Sequence, residues 1–336
     1  MPVAPAAAPV RIAVLGTSAI ARSFVEAAGH VPQIAPTVVL SRAQETADAF
    51  AAEAASLGTT MAARCDRAAV LADPEVDAVY IASPTTCHEA DVLEALDAGK
   101  HVLCEKPLAL SLASFDRMHD RAREQGLVLM EAARAVHDPA WALIAEALPA
   151  LGRIWHARFE MCQYSSRYDA VRAGEHRRAF DPAFGHSALS DIGIYTVLPA
   201  VQLFGAPERS VSTSQRLESG FDASGAVLLT YPTLSVLCRY SKVNATTTGS
   251  TIEGEDATLR IDSVSEPGRI EIERRDGTRE TLLDQAPRSV AQSMVHELAD
   301  FARVVADGAV EHPFARISRD AVAVMERAYS EGTAAS

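Results

Sequence analysis

Arg11-Ile-Ala-Val-Leu-Gly16-Thr17-Ser18-Ala19-Ile20-Ala21 is the stretch that decides the fold. An apolar run ends at Gly16, and Ile20, Phe24 and Val25 then recur at helical spacing as far as Ala28. A buried strand, a glycine turn and an amphipathic helix in succession form the opening of a dinucleotide fold, with phosphate held at the helix N-terminus. Gly16, Thr17, Ser18, Ala19 and Ile20 are therefore candidate cofactor-binding residues. Against the pattern G-x-G-x-x-G, only Gly16 keeps its place, with Ser18 and Ala21 in the other two. Alanine at the last position still allows close helix–strand packing. Ser18 lacks the freedom of glycine, but its hydroxyl can hydrogen-bond a phosphate oxygen. Taken alone, the turn reads equally well as a βα connection that binds nothing.

Working outward, the same alternation continues through the first 130 residues. Strands are expected at Thr37–Ser41, Asp77–Ala82, His101–Cys104 and Leu127–Met130. Helices are expected at Gln44–Ala55, His88–Ala98 and Leu112–Gln125, the last two stopped by Gly99 and Gly126. Strands alternating with helices of this length imply βαβ units and a doubly wound parallel sheet. After about residue 150 the pattern changes. A long strand is expected over Gly152–Tyr164, a helix over Ser187–Phe204, then a series of short strands from Arg209 to Leu283 separated by tight turns. Helices over Ser289–Val305 and Ser318–Tyr329 follow. The expected architecture is α/β: a loose tail over 1–10, a Rossmann domain over 11–130, and an α+β substrate and oligomerisation domain over 131–336 built on a mostly antiparallel open sheet. One face of that sheet is expected to carry Ser187–Phe204. The other is expected to be apolar or covered by a second subunit.

Composition narrows the function. The 336 residues are 48% hydrophobic and 22% charged, as in an ordinary globular protein. The formal charge of −13 does not suit a nucleic-acid binder, which needs a basic footprint. No apolar run reaches the ~18–20 residues of a membrane span, and Met1–Val10 lacks the basic start of a secretory signal. The five cysteines are odd in number and irregular in spacing, which points to reduced thiols in the cytoplasm rather than a disulfide or zinc framework; no metal site is expected. An NAD site places a carboxylate about 20 residues after the glycine turn. Here the second strand ends in Ser41-Arg42. A hydroxyl and a guanidinium suit a 2′-phosphate and favour NADP over NAD, although Arg42 also reads as a solvated residue at a helix start.

Two longer blocks are more specific: Asp77-Ala-Val-Tyr-Ile-Ala-Ser83-Pro84-Thr85-Thr-Cys-His88 and Ala98-Gly-Lys-His-Val-Leu-Cys-Glu105-Lys106-Pro107-Leu-Ala. With the Gly16 turn before them, they resemble the Gfo/Idh/MocA family of glucose–fructose oxidoreductase, inositol dehydrogenase and dihydrodiol dehydrogenase. Ser187-Ala-Leu-Ser-Asp191-Ile-Gly-Ile-Tyr195 is similar to the family's second signature, and Ile252–Leu259 and Met294–Phe301 to its late elements. The resemblance implies reversible hydride transfer between NAD(P) and a carbinol carbon of a sugar, cyclitol or related diol. It implies that Lys106 lies beside the reacting oxygen. Glu105 would orient it near the nicotinamide ribose, and Ser83, Pro84, Thr85 and His88 would border the cofactor. Where the family usually has Asp and then His four residues later, this chain has Asp191 and Tyr195, as in the glucose–fructose oxidoreductase and dihydrodiol dehydrogenase branch. Tyr195 is then the candidate acid/base. Gly185-His186-Ser187 stands where consecutive glycines are usual, which adds an imidazole near the substrate. The resemblance also implies an oligomer, dimer or tetramer, formed through the C-terminal sheet.

The chemistry leads to the same residues. Hydride transfer from an alcohol needs a base for the hydroxyl proton and a cation near the developing oxyanion. Lys106, Tyr195 and Asp191 supply these groups from different halves of the chain, as expected of a cleft enzyme. Arg167 and His186 are further substrate-binding candidates. His176-Arg177-Arg178 reads as a solvated loop with some capacity for an anion, and His137-Asp138-Pro139 as a helix start. The sequence leaves the substrate unnamed. The competing function is a non-catalytic dinucleotide-binding sensor on the same fold.

Overall fold

The computed structural model describes residues 8–334. Of the loose tail expected over 1–10, residues 1–7 lie outside the described part, and Val10 already opens strand β1. The chain divides into two compact units. The first holds the chain through Ala109 together with Ala113–Arg134 and Arg288–Ala315; the second holds Leu110–Leu112, Ala135–Pro287 and the chain from Arg316 on.

In the first unit, β1 (Val10–Leu15), α1 (Ala19–Ala28), β2 (Ile34–Leu40), α2 (Gln44–Ser56), β3 (Ala62–Arg64), α3 (Arg67–Ala72), β4 (Ala78–Ile81), α4 (His88–Asp97), β5 (His101–Glu105), α5 (Leu112–Gln125) and β6 (Leu129–Ala132) follow one another. The six strands pair in the order β3-β2-β1-β4-β5-β6, all parallel. β3 and α3 are too short for a hydrophobic period to be read from sequence. Ile12–Val14 and Ala78–Ile81 are buried because helices cover both faces. The strand order reverses at β1, and the crevice beyond the carboxyl ends of β1 and β4 is where open α/β sheets bind ligands. α1 is amphipathic, with Phe24 stacked on Tyr80 at 3.9 Å between centroids.

The second unit opens with α6 (Pro139–Ala147), capped by Asp138, which accepts from Ala140 N at 3.0 Å. Then come β7 (Ile154–Cys162), α7 (Tyr168–Arg172) and α8 (Ile194–Phe204). Seven strands complete the sheet: β8 (Arg209–Arg216), β9 (Asp222–Thr230), β10 (Ser235–Ser241), β11 (Ser250–Gly254), β12 (Ala257–Ile261), β13 (Arg269–Arg274) and β14 (Arg279–Asp284). The order is β14-β13-β12-β11-β7-β10-β9-β8, antiparallel throughout except where β7 meets β10. α9 (Val290–Ala306) belongs to the first unit, although the sequence reading put it with the second half. Its Met294, Leu298 and Phe301 join the cluster that holds Phe24, Val25 and Ala28 of α1. α10 (Pro313–Ala334) closes the described chain.

Two expectations for the second unit need correction. Ser187–Phe204 is not one regular helix: a π-helical turn over Leu189–Gly193 precedes α8. The opposite sheet face is not apolar throughout. One cross-strand row runs Val211, Leu228, Leu237, Arg158, Thr251, Arg260, Glu271, Thr281 from β8 to β14. Its β8–β10 end is apolar, with Val211 and Leu228 exposed, and the remainder is polar, with an Arg260–Glu273 pair at 2.7 Å.

Candidate active site

The first unit presents four loops at the carboxyl ends of its strands. After β1, Gly16 has φ 115°, and a Cβ there would stand 3.1 Å from the Ala82 carbonyl oxygen. Only glycine lets β1 and β4 approach this closely while the chain turns into α1. The first turn of α1 carries no acidic side chain, so its unpaired N–H groups and positive dipole end are unopposed. Ser18 caps this helix, its Oγ accepting from Ala21 N at 3.4 Å. These features fit a pyrophosphate.

Beyond β2, Ser41 N donates to Arg64 O at 3.1 Å, and Arg42 is exposed. No carboxylate occupies the end of β2, so the residues present fit a 2′-phosphorylated ribose. Arg64 ends the adjacent β3, a strand the sequence reading did not assign.

After β4 come Ser83, Pro84 and the 3₁₀ turn Thr85–Cys87. Ser83 Oγ donates to Asp91 Oδ2 at 2.5 Å. His88 is buried: Nδ1 lies 3.0 Å from Pro107 O, and Nε2 lies 3.0 Å from Ser83 O. Burial lowers its pKa, outweighing the two carbonyl contacts that favour the cation. The ring thus ties the Ser83 loop to the loop after β5.

That fourth loop carries Glu105-Lys106-Pro107, with a cis Lys106–Pro107 bond. Glu105 is buried at the end of β5, and Tyr80 Oη donates to its Oε1 at 2.6 Å. Burial raises its pKa, while the Tyr80 hydrogen bond and the Lys106 charge pull it down. Leu108 N donates to Glu131 Oε1 at 2.7 Å, which pins the far side of the turn. Behind it, Glu297 of α9 is fully buried with neither carboxyl oxygen bonded among the described residues. Its pKa lies well above the usual range, through burial first, then repulsion by Glu105.

In the second unit, Asp191 lies in the π turn and Tyr195 in the first turn of α8. The helix starts where Ser187 and Ser190 cap each other, Ser190 N donating to Ser187 Oγ at 2.9 Å and Ser187 N to Ser190 Oγ at 3.0 Å. Gly193 passes under β10, where a Cβ would come within 3.0 Å of the Tyr240 ring. Tyr195 is 7% exposed. Lys242 Nζ donates to Asp191 Oδ2 at 2.7 Å. Sequence reading missed Lys242, because nothing in Arg239-Tyr-Ser-Lys242 distinguishes it from a solvated lysine at a strand end. Arg167 is exposed just before α7, and His186 follows Gly185 in a loop, 6.4 Å from the Phe184 ring. His176, Arg177 and Arg178 engage Asp181, Glu175 and the Phe184 ring within the same loop.

A phosphate turn at the switch point of a doubly wound sheet and a lysine at the end of β5 define the class of dinucleotide-dependent oxidoreductases. Residues 10–133 match the model of the oxidoreductase family with an NAD-binding Rossmann fold, GFO_IDH_MocA. Over 302 residues the chain is 35% identical to scyllo-inositol 2-dehydrogenase (NADP(+)) IolU of Bacillus subtilis (strain 168), covering 90% of each. It is 34% identical over 332 residues to dTDP-3,4-didehydro-2,6-dideoxy-α-D-glucose 3-reductase of Streptomyces violaceoruber, covering 95% of this chain and 92% of that one. The crystal structure of KijD10, a 3-ketoreductase from Actinomadura kijaniata in complex with NADP and TDP-benzene, superposes with a TM-score of 0.83 at 25% identity, covering 96% and 98%. The chain belongs to the Gfo/Idh/MocA oxidoreductase family.

Proposed function

We propose that the protein is an NADP-dependent oxidoreductase that interconverts a secondary alcohol and a ketone on a sugar, cyclitol or related diol. The observation that carries this reading is Lys106, placed at the carboxyl end of β5 by a buried Glu105 and a turn braced by His88 and Leu108. The end of β2 supports NADP over NAD, since Arg42 and Ser41 stand where a carboxylate would repel a 2′-phosphate. The name of the Bacillus relative and the ligands of the KijD10 structure support the same cofactor.

A nicotinamide dinucleotide, when bound, would supply or take up the hydride at the carbinol carbon. In the oxidising direction Tyr195, acting as its phenolate with the Lys106 cation stabilising it, takes the hydroxyl proton as the C–H bond breaks. In the reducing direction it returns that proton to the oxygen. Lys106 stabilises the negative charge on that oxygen in both directions, and a cation acting only as charge develops lowers the barrier. Asp191 accepts a hydrogen bond from a second substrate hydroxyl. Gly16, Thr17, Ser18, Ala19 and Ile20 hold the pyrophosphate, and Ser83, Pro84 and Thr85 border the nicotinamide half. His88, being buried, acts on the cofactor through the loops it joins. Arg167 and His186 face polar groups of the substrate.

The apolar end of the open sheet face supports self-association through that face. The functional test is a turnover screen of cyclitols, sugars and diols, each with NADP and with NAD. Steady reduction of NADP by one of these polyols is expected. No turnover with any of them overturns the reading.

A further inference from the structure

Lys242 follows β10 and is buried in the second unit, its side chain only 5% exposed. Its backbone is fixed on both sides: its N–H donates to Ala223 O at 2.9 Å, and its carbonyl accepts from Ser165 N at 3.0 Å. Nζ donates to Ala179 O at 3.1 Å and to Asp191 Oδ2 at 2.7 Å. It also lies 4.7 Å from the Phe180 ring centroid and 5.5 Å from that of Phe221. A buried ammonium is costly unless it is paired and hydrogen-bonded, and here a carboxylate, a carbonyl and two aromatic faces meet it. Phe180 and Phe221 form a small core of their own with Ala223, so the box around Nζ is packed rather than hydrated. The partner carboxylate is different: the Asp191 side chain is 41% exposed. One end of the pair is locked in the unit while the other reaches its surface, in the π turn one helical step before Tyr195.

We propose that Lys242 is the positioning residue for Asp191, holding that carboxylate aimed at a hydroxyl next to the reacting carbon. The proposal deepens the reading given above and rests on it, because it requires Asp191 to meet the substrate. It narrows the substrate class to compounds with a hydroxyl adjacent to the reacting one. Two acceptor and donor groups one turn apart on a helix face address two neighbouring oxygens.

The test compares wild type, Lys242→Met, Asp191→Asn and the double variant. The polyol is the best one found in the screen, beginning with scyllo-inositol, and NADPH affinity is measured by fluorescence on the same samples. Lys242→Met and Asp191→Asn are each expected to lower kcat/KM for the polyol at least about tenfold, with the NADPH Kd unchanged within about twofold. The double variant is expected to be no worse than the poorer single variant, because the two residues act as one unit. A folded Lys242→Met with wild-type kcat/KM overturns the proposal, as does a double variant that loses the product of the two effects. If Lys242→Met does not fold, the comparison of Asp191→Asn with the double variant decides. In that pair the carboxylate is absent from both variants, so equal kinetics support the proposal while a further fall overturns it. An unimpaired Asp191→Asn, or no polyol turnover at all, removes the reading of Asp191 and the proposal together. An impaired Asp191→Asn beside a normal Lys242→Met removes the role of Lys242 alone.

Discussion

Glu297 places a buried carboxyl group behind the Lys106 turn with no hydrogen bond to either oxygen among the described residues. Burial and the neighbouring Glu105 and Glu131 hold its pKa well above the ordinary value, against the pull of Arg134. Above the usual glutamate range, an unfolded chain releases this proton while the folded unit keeps it. The folded state therefore binds more protons, and the group makes stability decline as pH rises, until its folded pKa is passed. Glu297→Gln keeps the neutral shape. It is expected to raise Tm by about 2–4 °C at pH ~8 and to converge with wild type near pH ~4. A gain confined to the acid side would contradict this ionisation. Arg42 is the second test at this scale. Arg42→Ala is expected to weaken NADP binding roughly tenfold to a hundredfold and to leave NAD nearly unchanged, as read by titration with each cofactor. Equal losses would show that Arg42 does not meet the 2′-phosphate.

At the level of elements, the signature helix shows what can and cannot be read from a chain. Its position over Ser187–Phe204 was legible because Leu189, Ile192, Val197 and Leu198 leave no polar face wide enough for solvent. The π turn was not legible. Its surroundings are set from other strands: Tyr240 of β10 crowds Gly193, and Asp222 of β9 accepts from Leu189 N at 3.2 Å. Lys242 was hidden for the same reason, since its burial exists only once Phe180 and Phe221 are folded around it. The first half was easier. Glu105 ends β5, and Gly16 and Lys106 lie in turns set by the strands just before them, so local sequence carries their geometry. His88 was assigned to the cofactor border, and only the fold reveals it as a brace between two loops. Gly193→Ala tests the helix–sheet contact. The added methyl must displace Leu189 or Tyr240, at a cost of about 1–3 kcal/mol. A lower urea midpoint and a reduced kcat are expected with NADPH affinity retained; unchanged stability would mean that the ring moves freely.

Across the whole molecule the chain forms two units, one built on a parallel sheet and the other on an eight-stranded mostly antiparallel one. The −13 charge supplies no basic footprint for nucleic acid, and no described helix is long and apolar enough to cross a membrane. The mixed face of the second sheet carries its own expectation. Leu228→Glu places a charge in the Val211–Leu228–Leu237 row and is expected to shift the protein to a smaller species in sedimentation, while a wild type already monomeric would end the self-association proposal. The proposed role of Lys106 is in the hydride chemistry of an NADP enzyme. It is tested most directly by comparing NADP reduction in wild type and Lys106→Met with scyllo-inositol and the other polyols of the screen. Steady turnover by wild type and a fall in kcat of about a hundredfold or more, with NADPH still bound, is the expected result. Near-normal turnover in Lys106→Met, or tight NADP binding by a wild type that turns over nothing, would contradict it, the latter marking a dinucleotide sensor instead.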